Sequence, residues 1–232
     1  MKVNQISQKK QYIIGIDEAG RGPVIGPMVI CAYAIEKEKE LELKKIGVKD
    51  SKRLSGRKRE ELYVKLKKLA SDIQVKQVSP AEIDELRKSH SLNVIEQQIM
   101  LNLAKKISVK PIEIYIDAAD VKEKRYGSVF EAEFPQTKII SQHKADELYP
   151  VVSAASIIAK VQRDREIKKI SKETGIDFGS GYPSDPKTIK FLRDLFRKQN
   201  KFPPYVRESW DTARRIKKEF SSSKKLTEFI DS

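Results

Sequence analysis

The sequence predicts an α/β protein whose C-terminal third is helical. Three observations carry that expectation. Runs of strand character occupy residues 12–17, 24–35, 112–116 and 137–141. Helix-period segments lie between the second and third of these runs, as in a sheet covered by helices. Beyond about residue 150 only helical periodicity is left, over 153–170, 185–199 and 208–220.

Along the chain, Tyr12 to Asp17 is an apolar strand that runs into two adjacent acids, Asp17 and Glu18. The Gly/Pro-rich loop 18–23 joins it to Val24–Ile35, a nearly continuous apolar run of the kind a buried central strand shows. Residues 36–45 are a Glu/Lys run suited to a solvated helix or loop. A polar loop, Asp50 to Ser55, follows. Ser55 is placed to cap a helix through Ala70, with Leu62, Leu66 and Leu69 on one face. Ile73 to Val78 reads as a short strand. Pro80 opens a short helix, and Leu92, Ile95, Ile99, Leu103 and Ile107 mark a longer one. Ile112 to Ile116 alternates as a strand and ends at Asp117. A strand from Thr137 to Ser141 leads into His143-Lys144-Ala145-Asp146. The 153–170 helix is rich in small residues and turns basic. Residues 185–199 should bury Ile189, Leu192, Leu195 and Phe196, with Ser184 or Asp185 as cap. Pro203-Pro204 is a break, 208–220 a last basic helix and 221–232 a tail. No internal repeat is visible. The length of 232 residues suits one large domain, 1–200, with an appendage, 201–232.

Composition narrows the function. No apolar run reaches the roughly 20 residues a membrane span needs, and the first residues lack the apolar segment of a signal peptide. The single cysteine, Cys31, lies in an apolar run and reads as a buried thiol, which fits a reducing, cytoplasmic setting. A net charge of +14 favours polyanionic partners, because phosphate neutralisation releases counterions.

The chemistry is carried by acids. Asp17-Glu18, Asp117 and Asp146 all stand at strand or loop ends, where a folded sheet can bring them together. Carboxylate oxygens suit hard cations such as Mg²⁺ or Mn²⁺, and two-metal hydrolysis needs several of them to hold two ions. Asp120 and Glu147 stand close enough in sequence to compete for the role. Gly20-Arg21-Gly22 lets backbone and guanidinium approach a phosphate or sugar. Tyr182, beside a turn that opens a helix, can stack on a sugar or base. Lys52, Arg53, Lys144, Lys160 and Arg163 are candidate phosphate contacts. With two histidines and one cysteine a Cys/His zinc cluster is excluded, and no Gly-x-Ser-x-Gly elbow exists. His143 could orient a phosphate or a water.

Together these motifs resemble those of the type 2 ribonucleases H (ribonuclease HII), in their archaeal style. Residues 15–23, Gly-Ile-Asp-Glu-Ala-Gly-Arg-Gly-Pro, are similar to the family's opening motif, and so is Asp50-Ser51-Lys52-x-Leu54-Ser55. Ile116-Asp117-Ala118 and His143-Lys144-Ala145-Asp146 resemble the second and third acidic motifs. Ser153 to Asp164, with Ser156 and Lys160, resembles the long central helix, and Gly179 to Asp185 the tyrosine motif. The resemblance covers residues 12–200 in the right order. It implies a ribonuclease H-like fold: a mixed five-stranded sheet flanked by helices, plus a C-terminal helical part. It implies Asp17, Glu18, Asp117 and Asp146 as ligands of two Mg²⁺ or Mn²⁺ ions. The implied reaction is endonucleolytic hydrolysis of RNA in RNA–DNA hybrids, or at a ribonucleotide embedded in duplex DNA, leaving 5′-phosphate and 3′-hydroxyl ends. Implied substrate contacts are Gly20, Arg21 and Gly22 at the ribose 2′-hydroxyl, Tyr182 on the next deoxyribose, and Lys52, Lys144, Ser156 and Lys160.

Near the end of the chain, Leu226-x-x-Phe229-Ile230 resembles the peptide by which replication enzymes bind a sliding clamp, although Ser223 stands where glutamine is usual. Two other readings stay open from sequence: a two-metal nuclease or resolvase blind to the 2′-hydroxyl, and a non-catalytic nucleic-acid binding module. Gly20-Arg21-Gly22 with Tyr182 speaks against the first, and four acids facing phosphates against the second. Nothing calls for an oligomer, so a monomer is expected.

Overall fold

Five strands form one mixed sheet: β1 (Tyr12–Ala19), β2 (Met28–Glu36), β3 (Asp72–Val78), β4 (Pro111–Asp117) and β5 (Lys138–Gln142), ordered β3-β2-β1-β4-β5. The structure is a computed structural model. It describes residues 10–48, 54–118 and 123–230, the side chains of 123–125 and 223–230 excepted. Lys52 and Asp120 therefore lie outside the described residues, and so do the side chains of Leu226, Phe229 and Ile230.

Burial explains the strand signals. Met28 through Ile35 are all shielded from water, so β2 carries apolar residues on both faces instead of alternating. Cys31 sits in this run as a free thiol, and burial pushes its pKa up. β1, β4 and β5 are parallel neighbours, with Ile16 opposite Ile116 and Asp117 opposite Gln142. Parallel strands need crossover connections, and helices supply them.

A 3₁₀ turn over Lys37–Lys39 enters α1 (Glu40–Ile46), which Gly47 ends in the left-handed conformation. α2 (Gly56–Leu69) is capped as expected, Ser55 Oγ accepting from the Lys58 amide at 3.2 Å. α3 (Pro80–Leu86) has Ser79 as its cap. α4 (Leu92–Lys106) follows, then α5 (Glu123–Glu133), which the sequence pattern did not signal. α6 (Ala145–Leu148) is a single turn, and α7 (Pro150–Thr174) is longer at both ends than its apolar run. Asp185, not Ser184, caps α8 (Pro186–Gln199). α9 (Asp211–Ile230) continues through most of the stretch expected to be a tail. No helix among the described residues is long and apolar enough to cross a membrane.

The chain divides into two compact units: Met1–Asp17 with Ile30–Lys76 and Gln97–Val161, and Glu18–Val29 with Gln77–Glu96 and Gln162–Ser232. In the first, Ile13, Ile14 and Ile16 of β1 and Val151 to Ala159 of α7 are buried. Gly15 is required there, since any Cβ would collide with the backbone of Val151 and Val152. The small residues of α7 thus serve close packing of helix on strand. In the second unit Val24 and Ile25, expected within β2, instead join a cluster with Phe178, Phe191, Leu192, Phe196, Phe202, Val206, Ala213 and Ile216. Ile25 makes an isolated antiparallel bridge with Val206. Residues on both sides of position 200 share this core.

Candidate active site

Three aspartates meet because the sheet register makes them meet. β1 and β4 run parallel with Ile16 beside Ile116, so Asp17 and Asp117 are the next residue on each strand. β5 ends at Gln142, beside Asp117. The chain then turns through His143 and Lys144, and Asp146 falls in α6. Lys144 makes that turn in the left-handed conformation, at φ 59°, an uncommon choice for a residue with a side chain. His143 is exposed, its Nδ1 lying 3.2 Å from the Ala118 carbonyl.

Oxygens of Asp17, Asp117 and Asp146 lie within 4.8 Å of one another. Asp17 and Asp146 are each only 4% exposed. Burial, and then the charges of Asp17 and Asp146, push the Asp117 carboxyl up to about 7. The Ala145 amide, 3.4 Å from Asp117 Oδ1, offsets little of this. Lys160 Nζ lies 4.0 Å from Asp146 and also donates to the buried Ser156 hydroxyl. Like charges crowded in a dry site need a compensating cation. An all-oxygen donor set of this kind fits a hard divalent ion. Glu18 is half-buried on β1, one residue on, and is not among the three converging carboxylates.

The Gly20–Gly22 loop is built in the second unit, and the protein itself satisfies it. Arg207 is fully buried and donates to three carbonyls: Nε to Gly26 at 3.0 Å, and its terminal nitrogens to Arg21 at 2.9 Å and Gly20 at 2.6 Å. Burial, and secondarily Arg163, lower its pKa to about 9, which leaves the guanidinium charged at neutral pH. Trp210 Nε1 donates to the Gly22 carbonyl at 3.0 Å. The Arg21 side chain is held by the buried Glu96 at 3.0 Å and by Asn93 Oδ1. Gly20 adopts φ +81°, and a Cβ there would lie 2.7 Å from the Pro27 carbonyl. Among the described residues the Arg21 and Gly22 amides have no protein acceptor.

Gly22 lacks a side chain where the Tyr182 ring approaches; a Cβ would sit 3.3 Å from it. That ring is 40% exposed, with Arg163 stacked 5.7 Å from its centre. Arg163, a candidate phosphate contact from sequence, is thus engaged with Tyr182 and the Ser180 carbonyl. Glu96 and Arg207 were not found in the sequence. Glu96 did leave a trace, as a carboxylate on the apolar stripe of Leu92, Ile95 and Ile99. Arg207 left none, being one basic residue among many in its region.

Acids clustered at the carboxyl ends of adjacent parallel strands, in a five-stranded sheet of this order, define a metal-dependent phosphodiester hydrolase of ribonuclease H-like fold. The family model described as Ribonuclease HII matches residues 14–213. The Ribonuclease HII of Pyrococcus furiosus is 47% identical over 211 residues, covering 90% of this chain and 93% of that protein. The crystal structure of ribonuclease H2 from Pyrococcus horikoshii superposes with a TM-score of 0.86 at 46% identity, over 91% of this chain and 99% of that one. A PCNA:RNase HII complex from Archaeoglobus fulgidus matches with a TM-score of 0.80 at 40% identity, over 88% and 96% of the two chains. The chain belongs to the ribonuclease HII family. It is an endoribonuclease that hydrolyses the RNA strand of RNA–DNA hybrids and cuts at ribonucleotides in duplex DNA. The resemblance read from the motifs, and the fold it implied, are borne out.

Proposed function

We propose that Asp17, Asp117 and Asp146, joined by Glu18, hold two Mg²⁺ or Mn²⁺ ions and that hydrolysis leaves 5′-phosphate and 3′-hydroxyl ends. The convergence of three carboxylates within 4.8 Å is the observation that carries this reading. Bound there, the ions supply a polarised water and neutralise charge on the phosphate oxygens. The carboxylates fix the positions of that charge, and their burial keeps bulk water from competing. Lys160, held by Ser156 beside Asp146, orients that carboxylate and faces phosphate. Lys144 and Lys52 add phosphate contacts.

Discrimination between RNA and DNA at one nucleotide requires contact with the 2′-hydroxyl. The acceptor-free amides of Arg21 and Gly22, on a loop whose carbonyls are tied down by Arg207 and Trp210, suit that contact. The exposed Tyr182 ring, resting against Gly22, suits stacking on the neighbouring deoxyribose. The enzyme acts as a cytoplasmic monomer with residues 1–200 as its catalytic part and 201–232 as an extension. The PCNA complex of the Archaeoglobus relative supports a sliding clamp as a partner, engaged through Leu226, Phe229 and Ile230.

The test is a DNA duplex with one ribonucleotide beside an all-DNA control, each with Mg²⁺, with Mn²⁺ and with chelator. Metal-dependent cutting at the ribonucleotide alone, lost in Asp17→Asn, is expected. Equal cutting of both duplexes would overturn the role given to the loop.

A further inference from the structure

A second anion site lies beside the Gly-Arg-Gly loop. A pocket of about 340 Å³ is lined by Arg21, Arg87, Ser209, Trp210, Asp211 and Arg214, with Gly22 at its edge. Three guanidinium groups line it; Arg21 is paired with Glu96 at 3.0 Å and Arg214 with Asp211 at 2.6 Å, which leaves Arg87 to supply its net charge. Arg87 has no carboxylate partner among the described residues. Its guanidinium carbon lies over the Trp210 ring, 4.9 Å from the centre. A guanidinium stacked in this way keeps its N–H edge for an anion.

Two further features point to a ligand. Ser209 Oγ is shielded from solvent and has no hydrogen-bond partner among the described residues. A buried hydroxyl left unpaired is destabilising, and a ligand oxygen would relieve that. The walls are also rigid without a ligand. Both Glu208 and Ser209 amides donate to the Asp84 carboxylate, at 2.7 and 3.0 Å, and Trp210 is tied to the Gly22 carbonyl. Preorganised and lined by arginines, the pocket suits the oxygens of a phosphodiester.

We propose that this pocket binds a backbone phosphate of the substrate duplex other than the scissile one. The proposal rests on the functional reading above, since Arg21 and Gly22 border the pocket and are the residues assigned to the ribose. Arg87 then supplies the charge, Ser209 a hydroxyl donor and Trp210 the platform that aims Arg87.

The test is a coupling measurement on the full chain, in chelator so that nothing is cut. Duplexes carrying one ribonucleotide receive a single uncharged methylphosphonate at each backbone position in turn. Trp210 is the only tryptophan, so its fluorescence reports occupancy directly. In the wild type, one position other than the scissile one should lower affinity about ten-fold when neutralised. In Arg87→Ala and in Ser209→Ala that same substitution should cost nothing further. Arg87→Ala should also lower the salt slope by about one, and Ser209→Ala should not. Ser209→Ala should keep or raise Tm, which separates binding from folding. A Lys190→Ala control should weaken every duplex alike. Losses in the pocket variants that add at every position, or no loss at all, overturn the proposal. So does quenching of Trp210 by inorganic phosphate without coupling to any duplex position. Cutting at the ribonucleotide with Mg²⁺ is scored separately, so failure of the enzymatic reading would be seen on its own.

Discussion

Arg207 and Asp117 are both charged groups inside the protein, and the chain treats them in opposite ways. Arg207 meets three carbonyls and stays charged in spite of its burial. Asp117 meets two carboxylates and is pushed up to about 7. The loop that Arg207 holds is complete as the protein folds. The acid cluster keeps an excess of negative charge, which Lys160 and the Ala145 amide offset only in part. A recognition element can be rigid in advance, whereas a catalytic centre that must hold cations has to be built with an excess of negative charge.

The comparison can be broken from the acid side first, where the effect is largest. Asp117→Asn should reduce cleavage by at least about 10³-fold, the scale at which loss of a transition-state charge partner is felt. The same change should raise the Tm of metal-free protein above about pH 7, where Asp117 would otherwise carry a third repelling charge. Mg²⁺ should raise the Tm of the wild type by mass action on the folded state, and less so in the variant. Thermal melts with and without chelator check all of this; a lower Tm for metal-free Asp117→Asn would contradict the assignment. From the loop side, Arg207→Met should cost roughly 3 kcal/mol or more, since three buried carbonyls lose their donors. Denaturant melts measure it, and added Mg²⁺ should not restore the loss. The smallest effect is expected for Glu96→Gln, which keeps a hydrogen-bond partner for Arg21 but removes the charge. A loss of about 1 kcal/mol in stability is expected, with a larger fall in the ratio of ribonucleotide-duplex to DNA affinity. A change in stability alone would leave Glu96 as packing only.

The acid cluster was legible in the sequence for a specific reason. Strands end where apolar runs end, so Asp17 and Asp117 declare themselves at the ends of Ile13–Ile16 and Ile112–Ile116. Parallel pairing then makes strand ends into neighbours. Ser55 and Asp185 were readable as caps because capping is a local bargain between a side chain and an amide three or fewer residues away. Contacts across long separations leave no such local mark. Arg207 reaches Gly20 over 187 positions, and one arginine in a basic stretch cannot announce that. Val24 and Ile25 read as strand because burial in any core requires the same residues; only the structure shows that they belong with Phe178 and Val206. α5 was missed because Gly127 and several charges interrupt its few apolar positions. Gly127 is there for space, a Cβ lying 3.1 Å from that of Ser141.

Cys31 gives the molecule a built-in clock. It is the chain's one thiol, and it sits in a strand with no exposed residue from Met28 to Ile35. A thiol reagent reacts with thiolate in water, and this sulfur meets water only after the strand leaves the sheet. The labelling rate in native buffer therefore counts how often the sheet opens fully, not how often its edges fray. Each bound cation or duplex that tightens the sheet would be read as a slower tick of the same side chain.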